Sequence, residues 1–387
     1  MAADWLARWH RLDGRAVHFL TGTDEHGLKL FRTAEARGLA PKEWADRIVP
    51  RWGEVWEALA ISNDDFIRTT EARHEEPVQR FWQELHDRDE VYLDTYEGLY
   101  CVGCEEFKKP DDLVDGKCPE HGVAPEVVKE ENYFFRLSKY RDRLIELYES
   151  EPRFVMPETR RNEVLGKVRG GLEDLSISRT TFDWGITVPW DERHVIYVWV
   201  DALLNYITAV GYGTDDERFS RIWPADIHLV GKDILWFHAV IWPAMLMALD
   251  LPLPKTVFAH GFLQVGGAKM SKTRLTGISP HDLLGTFGVD GFRYYFLREV
   301  SFGQDGSFSW ESMAARYNSD LANDLGNLAS RVATMIDRYL NGRAPRPPDE
   351  DELQPSEEKL MKARESAVEG MRRAVGDIAP HEALKSV

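Results

Sequence analysis

The stretch Ala16-Val-His-Phe-Leu-Thr-Gly-Thr-Asp-Glu-His-Gly27 joins a short apolar run to a small and polar segment. An apolar run of this length before a glycine-containing turn predicts a buried strand that ends near Leu20. Residues 195–200, 226–230 and 256–259 repeat the pattern, with helical stretches between them. Strands that alternate with helices predict an α/β fold, in which helices cover a parallel sheet.

The carboxyl ends of the predicted strands carry polar side chains that could act on a ligand. Parallel α/β sheets bind their ligands at this edge, outside the strand ends. We therefore expect the chemistry at Asp24, at residues 199–206, at Asp233 and in the loop of residues 266–273.

The loop Gly266-Gly-Ala-Lys-Met-Ser-Lys-Thr273 predicts a site that handles phosphate groups. Gly266 and Gly267 let the backbone approach a phosphate, while Lys269 and Lys272 supply compact positive charge. Displacement of pyrophosphate from ATP builds negative charge on phosphoryl oxygens, which positioned cations stabilise. Taken alone, the Lys-Met-Ser-Lys tetrapeptide also fits an exposed basic loop without this role.

The three cysteines and one histidine form two closely spaced pairs. Cys101 and Cys104 are separated by two residues, and so are Cys118 and His121. This spacing is typical of two knuckles that close on one zinc ion, and four protein ligands make the site structural rather than catalytic. The alternative is two pairs of unrelated buried side chains.

Composition argues against several classes of protein. The formal net charge of −17 is opposite to that of a nonspecific nucleic-acid binder, so any nucleic-acid contact must come from local basic groups. An odd count of three cysteines does not support a disulfide framework. No apolar run is long enough to span a bilayer, so we expect a cytoplasmic protein without a membrane partner.

The last part of the chain predicts helices. Ser309 is a candidate N-cap, and the helix after it carries apolar residues three and four positions apart, which predicts packing against a partner helix. These residues are Leu321, Leu325, Leu328, Val332 and Ile336. Asn341 and Gly342 predict the end of this helix, and the proline-rich, acidic residues 343–352 predict a linker.

Several motifs together carry a family resemblance. Lys269-Met-Ser-Lys-Thr273 resembles the second of the two signature motifs of class I aminoacyl-tRNA synthetases. Seven further segments, in the same order along the chain, are similar to the methionyl-tRNA synthetase family of the bacterial one-zinc type. They are Phe19-Leu-Thr-Gly-Thr-Asp-Glu-His-Gly27, Tyr96-Glu-Gly-Leu-Tyr-Cys101, Asn132-Tyr-Phe-Phe135, Tyr197-Val-Trp-Val-Asp-Ala202, Gly231-Lys-Asp-Ile234, His238-x3-Trp-Pro243 and Asn327-Leu-Ala-Ser-Arg331. The resemblance covers essentially the whole chain.

The resemblance implies a fold and a set of domains. The fold would be a Rossmann-like class I catalytic domain with a parallel sheet that lacks its first strand, a zinc-binding insertion, and an all-helical anticodon-binding domain. The implied domains are a split catalytic domain (1–88 and 189–260), a connective insertion with the zinc knuckle (89–188), a lysine-loop and stem-contact region (261–308) and an incomplete anticodon-binding domain (309–387).

The resemblance also implies the activity of a methionine–tRNA ligase. Methionine would react with Mg·ATP to give methionyl-adenylate and pyrophosphate, and the methionyl group would then pass to tRNA(Met). Asp24 would bind the α-ammonium group of methionine. The side-chain pocket would consist of Trp199, Ala202, Tyr206, Ile234, Phe237 and His238, with Tyr206 and His238 offering weak polar contacts to the sulfur atom.

The remaining implied roles concern ATP and tRNA. ATP would meet Gly231, Asp233, Lys269, Ser271 and Lys272, with Lys269 and Lys272 as the catalytic cations. Asn327 and Arg331, one helical turn apart, would read anticodon bases. Without the resemblance, Asp24 fits a helix cap, the pocket aromatics fit a core, and the Asn327–Arg331 pair fits a solvated helix edge.

The first signature motif of class I synthetases, His-Ile-Gly-His, does not occur in the sequence. In the family it precedes the helix that begins here with Met1-Ala-Ala-Asp4, and its histidines stabilise the transferring phosphoryl group. We therefore expect a chain truncated at its N-terminus and at its C-terminus, with little or no activity alone. Two alternatives are a catalytically inactive tRNA-binding paralogue and another class I activating enzyme or adenylyltransferase.

Overall fold

The fold was analysed in a computed structural model that describes residues 1–265, 268–269, 279–346 and 353–386. The chain forms two compact units, each assembled from separate segments. The first unit comprises Met1–Val17, Glu54–Ser62 and His260–Val387, and the second comprises His18–Gly53 and Asn63–Ala259.

Helices and strands alternate along much of the chain. The helices are α1 (Ala2–Leu12), α2 (Leu28–Glu35), α3 (Pro41–Ala58), α4 (Ala72–Asp87), α5 (Arg141–Ser150), α6 (Glu158–Gly170), α7 (Val198–Thr208), α8 (Asp216–Ile222), α9 (Trp242–Ala248), α10 (Pro280–Arg298), α11 (Trp310–Arg316), α12 (Asn327–Leu340), α13 (Pro355–Gly376) and α14 (Pro380–Ala383). The strands are β1 (Leu20–Thr23), β2 (Asp65–Arg68), β3 (Val91–Cys101), β4 (Glu106–Lys108), β5 (Glu126–Phe135), β6 (Val155–Met156), β7 (Leu175–Ser176), β8 (Ser178–Arg179), β9 (Thr187–Val188), β10 (Asp191–Ile196), β11 (His228–Gly231), β12 (Val257–His260), β13 (Leu263–Val265), β14 (Ala268–Lys269) and β15 (Gly306–Phe308). Short 3-10 turns span Pro110–Asp112, Leu137–Tyr140 and Lys232–Ile234, and π-helical turns span Phe237–Ile241 and Tyr317–Gly326.

Parallel strand pairs occur in the second unit. Strand β1 runs parallel to β2, with Leu20 opposite Asp65 and Thr23 opposite Arg68. Strand β12 runs parallel to β6, and the sheet order β11-β12-β6 places β11 on the other side of β12. Large buried side chains such as Trp82, Trp242 and Phe135 form the core around β6, β11 and β12. The predicted α/β class with parallel pairing is therefore confirmed.

The insertion is an antiparallel sheet with the strand order β4-β3-β5-β7. Strand β3 pairs along β5 from Val91 opposite Phe135 to Tyr100 opposite Glu126. Because β3 ends at Cys101 and β4 follows after a tight turn, the sheet presents the first cysteine pair at its end.

Two predicted strands have different bounds in the structure. The strand expected at residues 16–20 begins only at Leu20 and continues through Thr23. The strand expected at residues 195–200 is wrong beyond Ile196: β10 ends there, runs antiparallel to β8 and β9, and α7 starts at Val198. The strands expected at 226–230 and 256–259 are present with shifted bounds, as β11 (His228–Gly231) and β12 (Val257–His260).

The first unit is mainly helical, as predicted for the end of the chain. The hydroxyl of Ser309 accepts a hydrogen bond from the Ser312 backbone N–H at 3.0 Å, which confirms the predicted N-cap of α11. Helix α12 ends at Asn341, whose φ of 51° is left-handed. Three residues of the predicted apolar stripe, Leu325, Leu328 and Val332, are 59%, 62% and 47% exposed among the described residues, so they do not pack against a partner helix there. Leu321 and Ile336 are partly buried. Of the described helices, none is both long and apolar enough to span a membrane.

Candidate active site

The residue after strand β1, Asp24, lies among other acidic groups. Its carboxylate accepts a hydrogen bond from the His26 backbone N–H. Asp24 is exposed to solvent by its accessible surface, but many protein atoms lie around its carboxyl group. This desolvation, together with the nearby Asp201 and Glu105 carboxylates, raises the pKa of Asp24 well above its ordinary value. A cationic ligand would relieve the repulsion, so the position suits an ammonium group.

Helix α7 carries three of the residues that the family resemblance assigns to the side-chain pocket. Trp199, Ala202 and Tyr206 recur at spacings of three and four, so they share one helix face, and each is partly buried. The Trp199 ring stacks on Phe237 with 4.3 Å between ring centroids and 14° between planes. The structure thus brings together the aromatic residues that the sequence assigned to one pocket.

Two further residues of the expected pocket, Tyr206 and His238, form a hydrogen-bonded pair. His238 Nδ1 lies 2.9 Å from the Ile234 carbonyl oxygen, and His238 Nε2 lies 2.8 Å from the Tyr206 hydroxyl. Desolvation, partly opposed by the bond to Ile234, lowers the pKa of His238 to about 4. The neutral ring therefore donates from Nδ1 to the carbonyl and accepts the Tyr206 hydroxyl proton at Nε2.

A second buried histidine, His228, packs against the ring of Tyr206. Its ring centroid lies 4.2 Å from that of Tyr206, and its Nε2 accepts a hydrogen bond from Trp242 Nε1 at 3.3 Å. Desolvation lowers the pKa of His228 to about 3, so this ring is also neutral. Sequence reasoning did not single out His228, because its role depends on contacts made across the fold.

The residues expected to bind ATP lie partly within the described structure. Gly231 ends β11, and a Cβ atom there would lie 2.4 Å from Asp233 Oδ1, so glycine lets the two residues approach. The backbone of Lys269, in β14, pairs with the backbone of Gln264, in β13. The Lys269 side chain and the whole of Ser271 and Lys272 lie outside the described residues.

The four predicted metal ligands meet at one point. The ligand atoms of Cys101, Cys104, Cys118 and His121 all lie within 4.8 Å of one another. The Cys104 and Cys118 sulfur atoms are 3.6 Å apart, and His121 Nδ1 is 3.3 Å from Cys104 Sγ. Thiolates bound tetrahedrally to zinc at about 2.3 Å are separated by about 3.8 Å, so the arrangement fits a tetrahedral metal ion.

The segment that carries the four predicted metal ligands contacts Trp199 of α7 and the first turn of α2. Trp199 Nε1 donates a hydrogen bond to the Cys104 carbonyl oxygen at 3.2 Å. The next carboxylate, Glu105, accepts from the Lys29 backbone N–H at 2.9 Å, in the first turn of α2. The knuckle is thus hydrogen-bonded to the residue that stacks on Phe237.

The two residues expected to contact an anticodon lie on α12 in the first unit. Asn327 opens the helix and Arg331 follows one turn later, and both are exposed. The predicted common helix face is therefore present. The residues of the pocket and the knuckle all belong to the second unit.

Sequence reasoning missed a buried network beside Asp24. Asp201 binds His26 with one carboxylate oxygen and His74 with the other, at 2.6 and 2.7 Å. His26 and Asp201 both lie inside motifs that the sequence drew attention to, but their pairing spans 175 residues of chain. No local spacing could have revealed that contact.

Comparisons with known proteins identify the family of the chain. The family model described as tRNA synthetases class I (M) matches residues 1–124 and 108–333. Methionine–tRNA ligase of Streptomyces coelicolor is 60% identical over 354 residues, 89% of this chain and 66% of that protein. The same ligase of Caldanaerobacter subterraneus subsp. tengcongensis is 55% identical over 91% of this chain and 56% of that protein. The chain therefore spans less than two thirds of the length of these relatives.

Solved structures give the same result. The crystal structure of Mycobacterium tuberculosis methionyl-tRNA synthetase bound by methionyl-adenylate aligns with a TM-score of 0.95 and 47% identity, over 100% of this chain and 76% of that chain. The free form aligns with a TM-score of 0.86 and 45% identity, over 100% of this chain and 74% of that chain. The fold and the family model together place the chain in class I of the aminoacyl-tRNA synthetases. Within that class, the chain belongs to the methionyl-tRNA synthetase family.

Proposed function

We propose that this chain carries the methionine-activating site of a methionine–tRNA ligase. In the proposed reaction the carboxylate of methionine attacks the α-phosphorus of Mg·ATP. The P–O bond to the leaving group breaks, which yields methionyl-adenylate and pyrophosphate. The methionyl group is then transferred to the terminal ribose of tRNA(Met), and AMP leaves.

The observation that carries the proposal is an acidic group beside an aromatic pocket. Asp24, in its desolvated acidic surroundings, is suited to pair with the α-ammonium group of the substrate. Trp199, stacked on Phe237, offers the polarizable aromatic surface that a thioether favours. Ala202 and Ile234 would complete the walls, and the Tyr206–His238 pair forms the polar end.

We assign binding of ATP to residues of two sequence motifs. We assign Gly231 and Asp233 to the ribose, where the Asp233 carboxylate would accept from a hydroxyl group. Lys269, Ser271 and Lys272 would hold the phosphates, and the two lysines would stabilise the charge that develops as pyrophosphate leaves. Magnesium would enter with ATP as its complex.

We assign zinc to the knuckle as a structural ion. Cys101, Cys104, Cys118 and His121 supply the soft and borderline ligands that zinc prefers, and they leave no open position for substrate. When bound, the ion would fix the fold of the turn between β3 and β4.

The remaining assignments follow the same family. Asn327 and Arg331 would read anticodon bases of tRNA(Met), and the domain bounds would be 1–88 with 189–260 (catalytic), 89–188 (connective), 261–308 (stem contact) and 309–387 (anticodon-binding). We place the protein in the cytoplasm.

Calorimetric titration with L-methionine tests the site directly, with L-leucine and L-valine as competitors. We expect methionine to bind at least about tenfold more tightly than either competitor. Asp24→Asn should abolish measurable binding, whereas Asp226→Asn, at an exposed aspartate paired with Lys255 at 2.7 Å, should leave it unchanged. Equal affinity for the three amino acids would contradict the proposal. Methionine-dependent ATP–pyrophosphate exchange then measures the activation step itself.

A further inference from the structure

A buried carboxylate, Asp201, joins three elements around the amino-acid site. Asp201 lies in the first turn of α7 between the pocket residues Trp199 and Ala202, and its side chain is fully buried. Its Oδ2 is 2.6 Å from His26 Nδ1 and its Oδ1 is 2.7 Å from His74 Nε2. His26 belongs to the turn after β1, and His74 belongs to α4. The carboxylate thus ties the turn and α4 to the helix that forms the pocket wall.

His26 connects this network to Asp24. Its backbone N–H donates to the Asp24 carboxylate, while its ring donates to Asp201. The ring also makes an edge contact with Trp184, with 5.2 Å between centroids. Trp184 in turn donates its indole N–H to the Glu25 carbonyl oxygen at 2.7 Å. The position of Asp24 is therefore set by a residue that Asp201 holds.

The hydrogen bonds assign a role to each ring nitrogen. Asp201 accepts at both oxygens, so His26 Nδ1 and His74 Nε2 are the donors. The Thr208 hydroxyl lies 2.8 Å from His74 Nδ1, within hydrogen-bonding distance. His26 Nε2 lies 3.9 Å from Glu75 Oε1 near the surface. A buried carboxylate with two N–H donors is stable in place, whereas the loss of one donor leaves it under-satisfied.

We propose that His26, Asp201 and His74 form a positioning network that holds the Asp24 carboxylate at a fixed place against helix α7. The inference rests on the proposed function, because it assigns the network to binding of the substrate's ammonium group. An amino acid must contact Asp24 and the Trp199 wall at once, so the separation of these two groups determines its affinity. The network fixes that separation through a single residue of α7.

Substitutions of His26 test the proposal, because two of them differ mainly in the donor. His26→Asn places an amide N–H near the position of Nδ1, whereas His26→Leu fills similar space without a donor. The ligands are L-methionine, L-methioninol, which keeps the ammonium group, and the deamino analogue of methionine, which lacks it. Dissociation constants come from calorimetry on the full chain, and apparent melting temperatures show whether each variant folds.

We expect His26→Leu to weaken methionine and methioninol by about tenfold or more, and the deamino analogue by less than about threefold. His26→Asn should stay within about threefold of the unsubstituted chain for all three ligands, and His74→Gln, which keeps an Nε2 donor, should behave in the same way. Equal losses for all three ligands would reduce the network to a structural role and overturn the inference, as would His26→Asn behaving like His26→Leu. If the unsubstituted chain binds neither methionine nor methioninol, the proposed function fails and this inference fails with it.

Discussion

At the scale of single residues, the protonation of His238 determines which hydrogen-bond donors the proposed pocket would present to a ligand. The sequence suggested that Tyr206 and His238 both make polar contacts to sulfur. In the structure His238 donates from Nδ1 to the Ile234 carbonyl oxygen and accepts the Tyr206 proton at Nε2. The imidazole N–H and the Tyr206 O–H are therefore both used within the protein, so neither would be available to a ligand in the proposed pocket. Sulfur would then be recognised mainly by aromatic contact.

The neutral state of His238 makes a prediction about acid stability. The pKa of His238 is about 4 in the folded chain and 6.5 in the unfolded chain. Between these two pH values, His238 is protonated in the unfolded chain and neutral in the folded chain. The free energy of unfolding should therefore fall as the pH drops from 6.5 towards 4, by about 3 kcal/mol from this group. His238→Gln, which cannot titrate, should show a correspondingly flatter profile in urea unfolding followed by tryptophan fluorescence.

The exposed His86 on α4 provides the control, since its side chain is 44% exposed. His86→Gln should leave the pH profile of the unsubstituted chain unchanged. A His238→Gln profile as steep as that of the unsubstituted chain would show that His238 is not held neutral.

At the scale of helices and strands, local patterns predicted what depends on local contacts. Ser309 was recognisable as an N-cap, and the knuckle ligands were recognisable from their spacing, because both features join residues close in sequence. The run of residues 195–200 was misread as one strand, since its apolar composition suits a strand as well as a buried helix. Pairing of β10 with β8 and β9 ends at Ile196, and Asp201 reaches its two histidines from the helix that follows.

In the candidate site, too, residues in local motifs could be predicted and residues joined by long-range contacts could not. Asp24 and the aromatic wall could be named from motifs, whereas His26, His74 and Asp201 form a site only through contacts that span 127 and 175 residues. Such pairings depend on the packing of α4 against α7, which periodicity in either helix does not specify.

The knuckle yields a prediction at Gly103, between its first two cysteines. A Cβ atom at this position would lie 2.5 Å from the His121 ring, closer than real contacts allow. Gly103→Ala should therefore displace His121 and weaken zinc binding by about tenfold or more, measured by competition with a chromogenic chelator. Trp199 donates a hydrogen bond to the Cys104 carbonyl oxygen. We therefore expect altered tryptophan fluorescence both in Gly103→Ala and in the unsubstituted chain after a chelator has removed its zinc.

Gly166 supplies the matched control for this substitution. It lies inside α6, where an added Cβ meets nothing within 4 Å. Gly166→Ala should leave zinc affinity unchanged and stabilise the helix slightly. Unchanged zinc affinity in Gly103→Ala would rule out the tight contact with His121.

At the scale of the whole molecule, the chain is discontinuous: each compact unit draws on separate segments. In the first unit, one carboxylate contacts residues of all three sequence segments. Asp4 of α1 is fully buried, and it accepts from the Ser62 backbone N–H at 2.7 Å and from Arg8 Nε at 2.8 Å. It also pairs with Arg293 of α10. The sequence assigned Asp4 only to the start of a helix, because its partners lie 58 and 289 residues away.

The loss of this carboxylate should loosen the first unit as a whole. Burial opposes the ionised form of Asp4, but hydrogen bonds from Ser62, Arg293 and Arg8 lower its pKa to about 2, from 3.8. Its contribution is therefore complete above pH 3.8 and is lost as the pH falls towards 2, which amounts to about 2 kcal/mol. Asp4→Asn leaves Arg293 without its charged partner, so we expect about 3 kcal/mol of destabilisation at neutral pH.

Hydrogen exchange can locate that destabilisation in the first unit. In Asp4→Asn, amides of α1, of residues 59–62 and of α10 should exchange faster together, because one carboxylate connects all three segments. Amides of β1 and α7, which belong to the second unit, should keep their rates. Asp13→Asn, just after the same helix and 38% exposed beside Arg15, should leave every rate unchanged. Faster exchange confined to α1 would mean that Asp4 stabilises its own helix and does not join the three segments.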